Sequence, residues 1–158
     1  MIDVVIALIE KDGKVCVGER CSEPFAHYFE CPGGKREAHE SLFQALEREL
    51  LEEGQAQIKS ASYITQYEVH NPYGSFLLHW YRVELSNEFK PIIYKEVCWV
   101  NVNDIKHLNW IPHNLPYIPM MEKAILLKPE IVEVYDPQVI IPMLKDESIL
   151  IKKIHLSL

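Results

Sequence analysis

The chain has no apolar run approaching the roughly 20 residues needed to cross a bilayer. Its longest early one, in MIDVVIALIEKDG, stops at Glu10 and has no basic residue before it. A first β-strand is expected there rather than a signal peptide, and a cytoplasmic protein with no membrane partner is expected. Glycine is scarce, with 6 residues in 158, and there is no repeat or low-complexity tract, which excludes collagen-like and linker-rich chains. The four cysteines (Cys16, Cys21, Cys31 and Cys98) show no CxxC pair. Structural zinc is therefore disfavoured, and free thiols in a reducing compartment are expected. Positive charge is also short: 16 Lys and Arg stand against 23 Asp and Glu, for a net charge of -7. A chain so acidic lacks the broad basic field of a nucleic-acid binder. If it handles phosphates, it does so locally and through a bridging cation.

What remains is an ordinary globular composition, 48% apolar and 25% charged, at the length of one domain. Residues 4–10 and 14–20 are β-rich runs joined at Asp12-Gly13, a strong hairpin signal. Residues 28–31 form a short extended piece leading into Pro32-Gly33-Gly34. Two further strands, 62–69 and 76–85, flank a turn at Asn71-Pro72-Tyr73-Gly74, and 97–100 is another. A short helix is expected over 102–108. A second one is expected from Asn114 to residue 127, with Pro116 in its first turn and Pro129 beyond its end. Residues 131–135, 139–144 and 149–156 are β-leaning. Together these indicate an α+β fold with a mixed central sheet. The division is a domain over 1–128 and a C-terminal extension over 129–158 packed on it.

The informative stretch is GGKREAHESLFQALERELLEEGQA, residues 33–56. Ser41 followed by Gln44 is a capping-box pattern, so a helix starts at Ser41, and Gly54 supplies a C′ residue that ends it. Glu49, Glu52 and Glu53, at i, i+3 and i+4, share a face with Leu42, Ala45 and Leu46, which points toward the protein. Glu-rich turns are usually solvated. Here three carboxylates converge at a helix C-terminus, where they repel one another and the helix dipole. A hard divalent cation would offset that repulsion, binding carboxylate and phosphate oxygens together. The Gly33-Gly34 pair would let backbone approach a ligand closely.

These residues resemble the Nudix box: Gly, five residues, Glu, seven residues, Arg-Glu, apolar, any, Glu-Glu, any, Gly, apolar. The matching positions are Gly34, Glu40, Arg48-Glu49, Leu50 and Glu52-Glu53. The pattern departs at its end, where Gly54 comes one residue early and Gln55 occupies the expected glycine position. His39 also stands where relatives carry glycine, and φ > 0 there would strain it. Phe29-Glu30-Cys31-Pro32-Gly33-Gly34-Lys35 is similar to a segment of MutT-type nucleoside triphosphate pyrophosphohydrolases. Resemblance covers residues 3–127.

The resemblance implies the Nudix fold, an α/β/α sandwich, and an enzyme that hydrolyses a nucleoside diphosphate linked to a further group, using Mg²⁺ or Mn²⁺. It implies metal ligation by Glu49, Glu52, Glu53 and the Gly33 carbonyl, with Glu96 as an outlying ligand. Glu49 is also a candidate general base, and Arg48 orients a box glutamate. Substrate contacts fall to Arg20, Glu30 and Lys35, and Asn114 to the base, although Asn114 could equally be only an N-cap. The substrate expected first is a nucleoside triphosphate such as an oxidised purine deoxynucleotide, cleaved to the monophosphate and pyrophosphate. CTP, ADP-ribose, dinucleoside polyphosphates and a non-catalytic nucleotide-binding module are the alternatives. The C-terminal segment is a candidate for homodimer contact or for covering the pocket.

Overall fold

The computed structural model describes residues 1–126 and a strand at 153–157. β1 (Ile2–Lys11) and β2 (Lys14–Arg20) form the expected hairpin. Asp12 and Gly13 both take positive φ, 52° and 77°, as a type I′ turn requires. β1 then runs through the middle of a mixed sheet. It pairs in parallel with β6 (Gly74–Leu85) on one side and antiparallel with β4 (Gly33–Lys35) on the other. β6 pairs antiparallel with β5 (Ile58–Asn71), and β8 (Lys153–Ser157) joins β5 in parallel. β2 continues into a smaller antiparallel layer with β3 (Phe29–Glu30) and β7 (Tyr94–Asn101).

The sheet is covered on both faces, which is why β1 reads as a near-continuous apolar run. Val5, Ala7 and Ile9 pack with Tyr81 and Val83 against Leu42, Ala45, Leu46 and Leu50 of α1 (Leu42–Gly54). On the opposite face Leu8, Ile64 and Trp80 pack against Ile118, Met121 and Ile125 of α2 (Ile118–Leu126). Helix, sheet and helix thus form the expected layers.

Several boundaries shift for physical reasons. The helix expected from Asn114 begins as a 3₁₀ turn, Pro112–Tyr117, and becomes α-helical only at Ile118. Pro119 lacks the N–H that an α-helix begun at Asn114 would use at that position, whereas at the start of α2 it falls in the first turn, where the N–H needs no partner. The helix expected over 102–108 is also 3₁₀, Val102–His107. β5 and β7 outrun the expected strands because cross-strand partners extend them. Of the expected C-terminal strands, 131–135 and 139–144 lie outside the described residues, while β8 falls within 149–156 except for its last residue.

Ser41 is the N-cap of α1, and both halves of the capping box form. Its hydroxyl accepts the Gln44 N–H at 3.0 Å, and its own N–H donates to Gln44 Oε1 at 2.8 Å. The other end needs a correction. Gly54 is the last helical residue, and the left-handed position belongs to Gln55, with φ 50°. Gly54 is required for space instead, because a Cβ there would lie 2.5 Å from the Phe89 ring. The left-handed turn therefore falls at position 55, where the resembled box has glycine and this chain has Gln55. Replacing Gln55 with Gly should raise stability by roughly 1 kcal/mol, measured by urea denaturation, whereas Gly54→Ala should lower it.

Candidate active site

The C-terminal half of α1 lies against the β4 turn, and glycine allows that approach. A Cβ on Gly34 would collide with the Glu49 carboxylate, and one on Gly33 with the Val5 carbonyl oxygen. The Gly33 N–H donates to Glu53 Oε2 at 3.3 Å, and the Tyr94 hydroxyl donates to the same oxygen at 3.4 Å. Glu49 stands near enough to Glu53 to raise its carboxyl.

Burial, reinforced by repulsion from Glu49 and Glu30, pushes the Glu53 carboxyl up to about 8, although the Gly33 N–H pulls the other way. Burial likewise raises Glu30, against the opposing pull of Arg20. Glu53 consequently binds a proton more tightly in the folded chain than in the unfolded one. Its contribution to metal-free stability is complete below its ordinary value of 4.5 and is lost as pH rises toward 8. The slope is at most about 1.4 kcal/mol per pH unit.

Glu52 does not share this inward position. One helical step of 100° turns it away from Glu53, and its side chain is 59% exposed against 13% for Glu49. The repulsion expected among the three carboxylates is relieved by Arg48. Its guanidinium meets Glu40 at 2.7 and 3.0 Å, Glu49 at 3.0 Å, Glu52 at 3.3 Å and the Lys35 carbonyl at 2.9 Å. Arg48 thus joins the loop before α1 to the carboxylates at its end. That loop carries His39 at φ 69°, the strain anticipated for a glycine position filled by histidine.

The other expected residues are placed as follows. Arg20 Nη1 lies 3.3 Å from both oxygens of Glu30, and its buried Nε has no hydrogen-bond partner. Lys35 is exposed, beside Gly34. Asn114 is buried at 7% exposure and is not a cap, since Ile111 holds the N-cap position of the 3₁₀ turn. The neighbouring His113 ring meets Phe25 edge-on at 5.7 Å between centroids. Glu96 is not drawn into the carboxylate pair. It is exposed on β7, opposite Glu19 and hydrogen-bonded to Cys98.

Tyr94 escaped the sequence reading. It sits within hydrogen-bonding reach of both Glu30 and Glu53, but it precedes the residues recognisable as β7. His79, Trp80 and Tyr81 are buried sheet residues, as their strand positions suggest. All four cysteines are free.

Hard oxygen donors, with the Glu49 and Glu53 carboxylates side by side, suit Mg²⁺ or Mn²⁺. Among the described residues no three His, Cys, Asp or Glu side chains enclose a cation as they stand. Substrate oxygens and water would have to complete the shell, as is usual for Mg²⁺.

Residues 1–121 match the NUDIX domain family. The chain belongs to that family. It is 28% identical over 120 residues to a CTP pyrophosphohydrolase of Escherichia coli (strain K12), covering 75% of this chain and 89% of that one. The solution structure of the E. coli ORF135 protein superposes with a TM-score of 0.72 at 26% identity, covering 82% of this chain and 94% of the other. A NUDIX hydrolase from Nitrosomonas europaea gives 0.71 at 20% identity, covering 99% and 79%. The protein is a MutT-like Nudix hydrolase acting on a nucleotide-type substrate, and no helix among its described residues is long and apolar enough to cross a membrane.

Proposed function

We propose that this Nudix hydrolase cleaves a nucleoside triphosphate to the monophosphate and pyrophosphate, with Mg²⁺ or Mn²⁺ held by Glu49, Glu53, Glu52 and the Gly33 carbonyl. The observation that carries this reading is the Glu53 carboxyl, set beside Glu49 and against the Gly33 N–H, where a divalent cation would offset the repulsion between the two. When bound, such a cation would supply charge neutralisation for the phosphates and a lowered pKa for an attacking water. Glu53 would have to lose its proton to serve as a ligand. Glu49, hydrogen-bonded by Arg48, would take the proton of the water. Glu52 would join by leaving its 3.3 Å contact with Arg48. Glu96, exposed on β7 beside Cys98 and opposite Glu19, stays an outlying ligand in this reading.

Arg20 and Lys35 would meet the phosphate oxygens, with the Arg20–Glu30 contact opening or shifting as they do. Asn114 would read the base. The 28% identity to a CTP pyrophosphohydrolase favours a pyrimidine over the oxidised purine expected first. A pyrophosphate-release screen over canonical and oxidised nucleotides with Mg²⁺ and Mn²⁺ tests this reading. Turnover of a cytidine nucleotide above the purines is the expected result. No pyrophosphate from any nucleotide, together with no AMP formed from ADP-ribose, would leave a binding module. Asn114→Ala should raise KM about 10-fold, one hydrogen bond's worth, with kcat little changed. A change in melting temperature alone would make Asn114 a packing residue.

A further inference from the structure

The ionic chain that starts at Glu49 and runs through Arg48 to Glu40 does not end there. Arg36 donates through Nη1 to the Glu40 carbonyl oxygen at 3.0 Å. Through Nε and Nη2 it donates to Asp3 Oδ2, at 3.1 and 3.0 Å. The Arg36 backbone N–H also donates to the Asp3 carbonyl at 2.9 Å. The second Asp3 oxygen lies 2.9 Å from His79 Nε2, and His79 Nδ1 lies 2.9 Å from the Tyr63 hydroxyl. Asp3, His79 and Tyr63 come from β1, β6 and β5, so three strands are fastened to the loop before α1.

This network is costly unless every member is satisfied. His79 is only 4% exposed, and burial lowers its pKa. The neutral imidazole then donates from Nε2 to Asp3, while its Nδ1 faces the Tyr63 hydroxyl, which also reaches Gln66 Oε1 at 3.1 Å. Burial alone would raise the Asp3 carboxyl, but the bonds from His79 and Arg36 hold it below its ordinary value. The object being held is strained. His39, inside loop 36–40, has φ 69°, a conformation that persists only when its surroundings over-determine it. Arg36 supplies that restraint at the Glu40 carbonyl, one residue away.

We infer that Asp3 is a positioning residue for the carboxylate pair: through Arg36 it fixes loop 36–40, and through Glu40 and Arg48 it fixes the Glu49 carboxylate. The inference rests on the proposed metal-dependent hydrolysis. The competing possibility is that Asp3 only fastens β1 to β6.

Mn²⁺ binding to the metal-free protein separates the two, read by electron paramagnetic resonance. Asp3→Asn should weaken Mn²⁺ about 10-fold, the usual scale for groups behind a metal ligand. It should lower kcat similarly and leave the nucleotide KM within twofold. Arg36→Gln should do the same with the Asp3–His79 contact intact, and it decides the matter if Asp3→Asn fails to fold. The double variant Asp3→Asn/Glu40→Gln should bind Mn²⁺ no more weakly than Glu40→Gln alone, because both act through one chain. Wild-type Mn²⁺ affinity in variants that melt at lower temperature, or effects that multiply in the double variant, would overturn the inference. If the wild type binds Mn²⁺ and turns over while the single variants match it, only this inference fails. A wild type that binds no Mn²⁺ overturns the proposed function along with it.

Discussion

Glu53→Gln is expected to lower Mg²⁺-dependent hydrolysis by roughly 10³-fold. Lost metal ligation removes several kcal/mol of transition-state charge stabilisation, and each 1.4 kcal/mol is a factor of ten. The same substitution should stabilise the metal-free protein at pH 8. There the wild type must either ionise a buried carboxyl beside Glu49 and Glu30 or keep it protonated at a free-energy cost relative to the unfolded chain. Gln carries no such charge and still accepts from the Gly33 N–H. Urea denaturation at pH 5.5 and pH 8 checks the pair of effects: the wild type should lose stability between them, and the variant should lose less. A variant that loses both activity and stability at pH 8 would make Glu53 a structural acid. Near-wild-type turnover would remove it from the site altogether.

Arg48 is the second large case. Arg48→Ala removes the counter-charge for Glu40, Glu49 and Glu52 at once and frees the Lys35 carbonyl. Glu40 and Glu49 are only 15% and 13% exposed, so solvent replaces the lost partner poorly. A loss of about 2 kcal/mol in stability is expected, the scale of hydrogen bonds to charged groups. Mn²⁺ affinity should fall 10- to 100-fold. Arg48→Lys should recover little of either, since an ammonium cannot hold Glu40 with two nitrogens while reaching Glu49 with a third. Full recovery by Lys would mean that charge alone, without the fork, positions Glu49.

The parts of the site that were legible in sequence are the ones governed by local rules. The Ser41 cap follows from three-residue spacing and the Glu49–Glu53 contact from helical periodicity. The hairpin at Asp12-Gly13 follows from turn chemistry. Periodicity alone also grouped Glu52 with the other two, because i and i+3 differ by 60° and only tertiary contact shows which side of that arc is covered. The end of α1 was misassigned for a similar reason. Gly54 looked like a helix terminator, but its lack of a side chain serves Phe89, which is 35 residues away in sequence. Tyr94, and the Asp3–Arg36 contact that spans 33 residues, left no trace in local pattern. Such groups meet only when β1 is set between β4 and β6.

The central claim is that Glu53, beside Glu49, exchanges its proton for a divalent cation. Titrating Mn²⁺ into the metal-free protein at pH 7 by calorimetry, in two buffers of different ionisation enthalpy, tests it most directly. With Glu53 near 8, binding should release about one proton per Mn²⁺, and the release should disappear in Glu53→Gln. Mn²⁺ binding with no proton released, or no binding at all, would contradict the account.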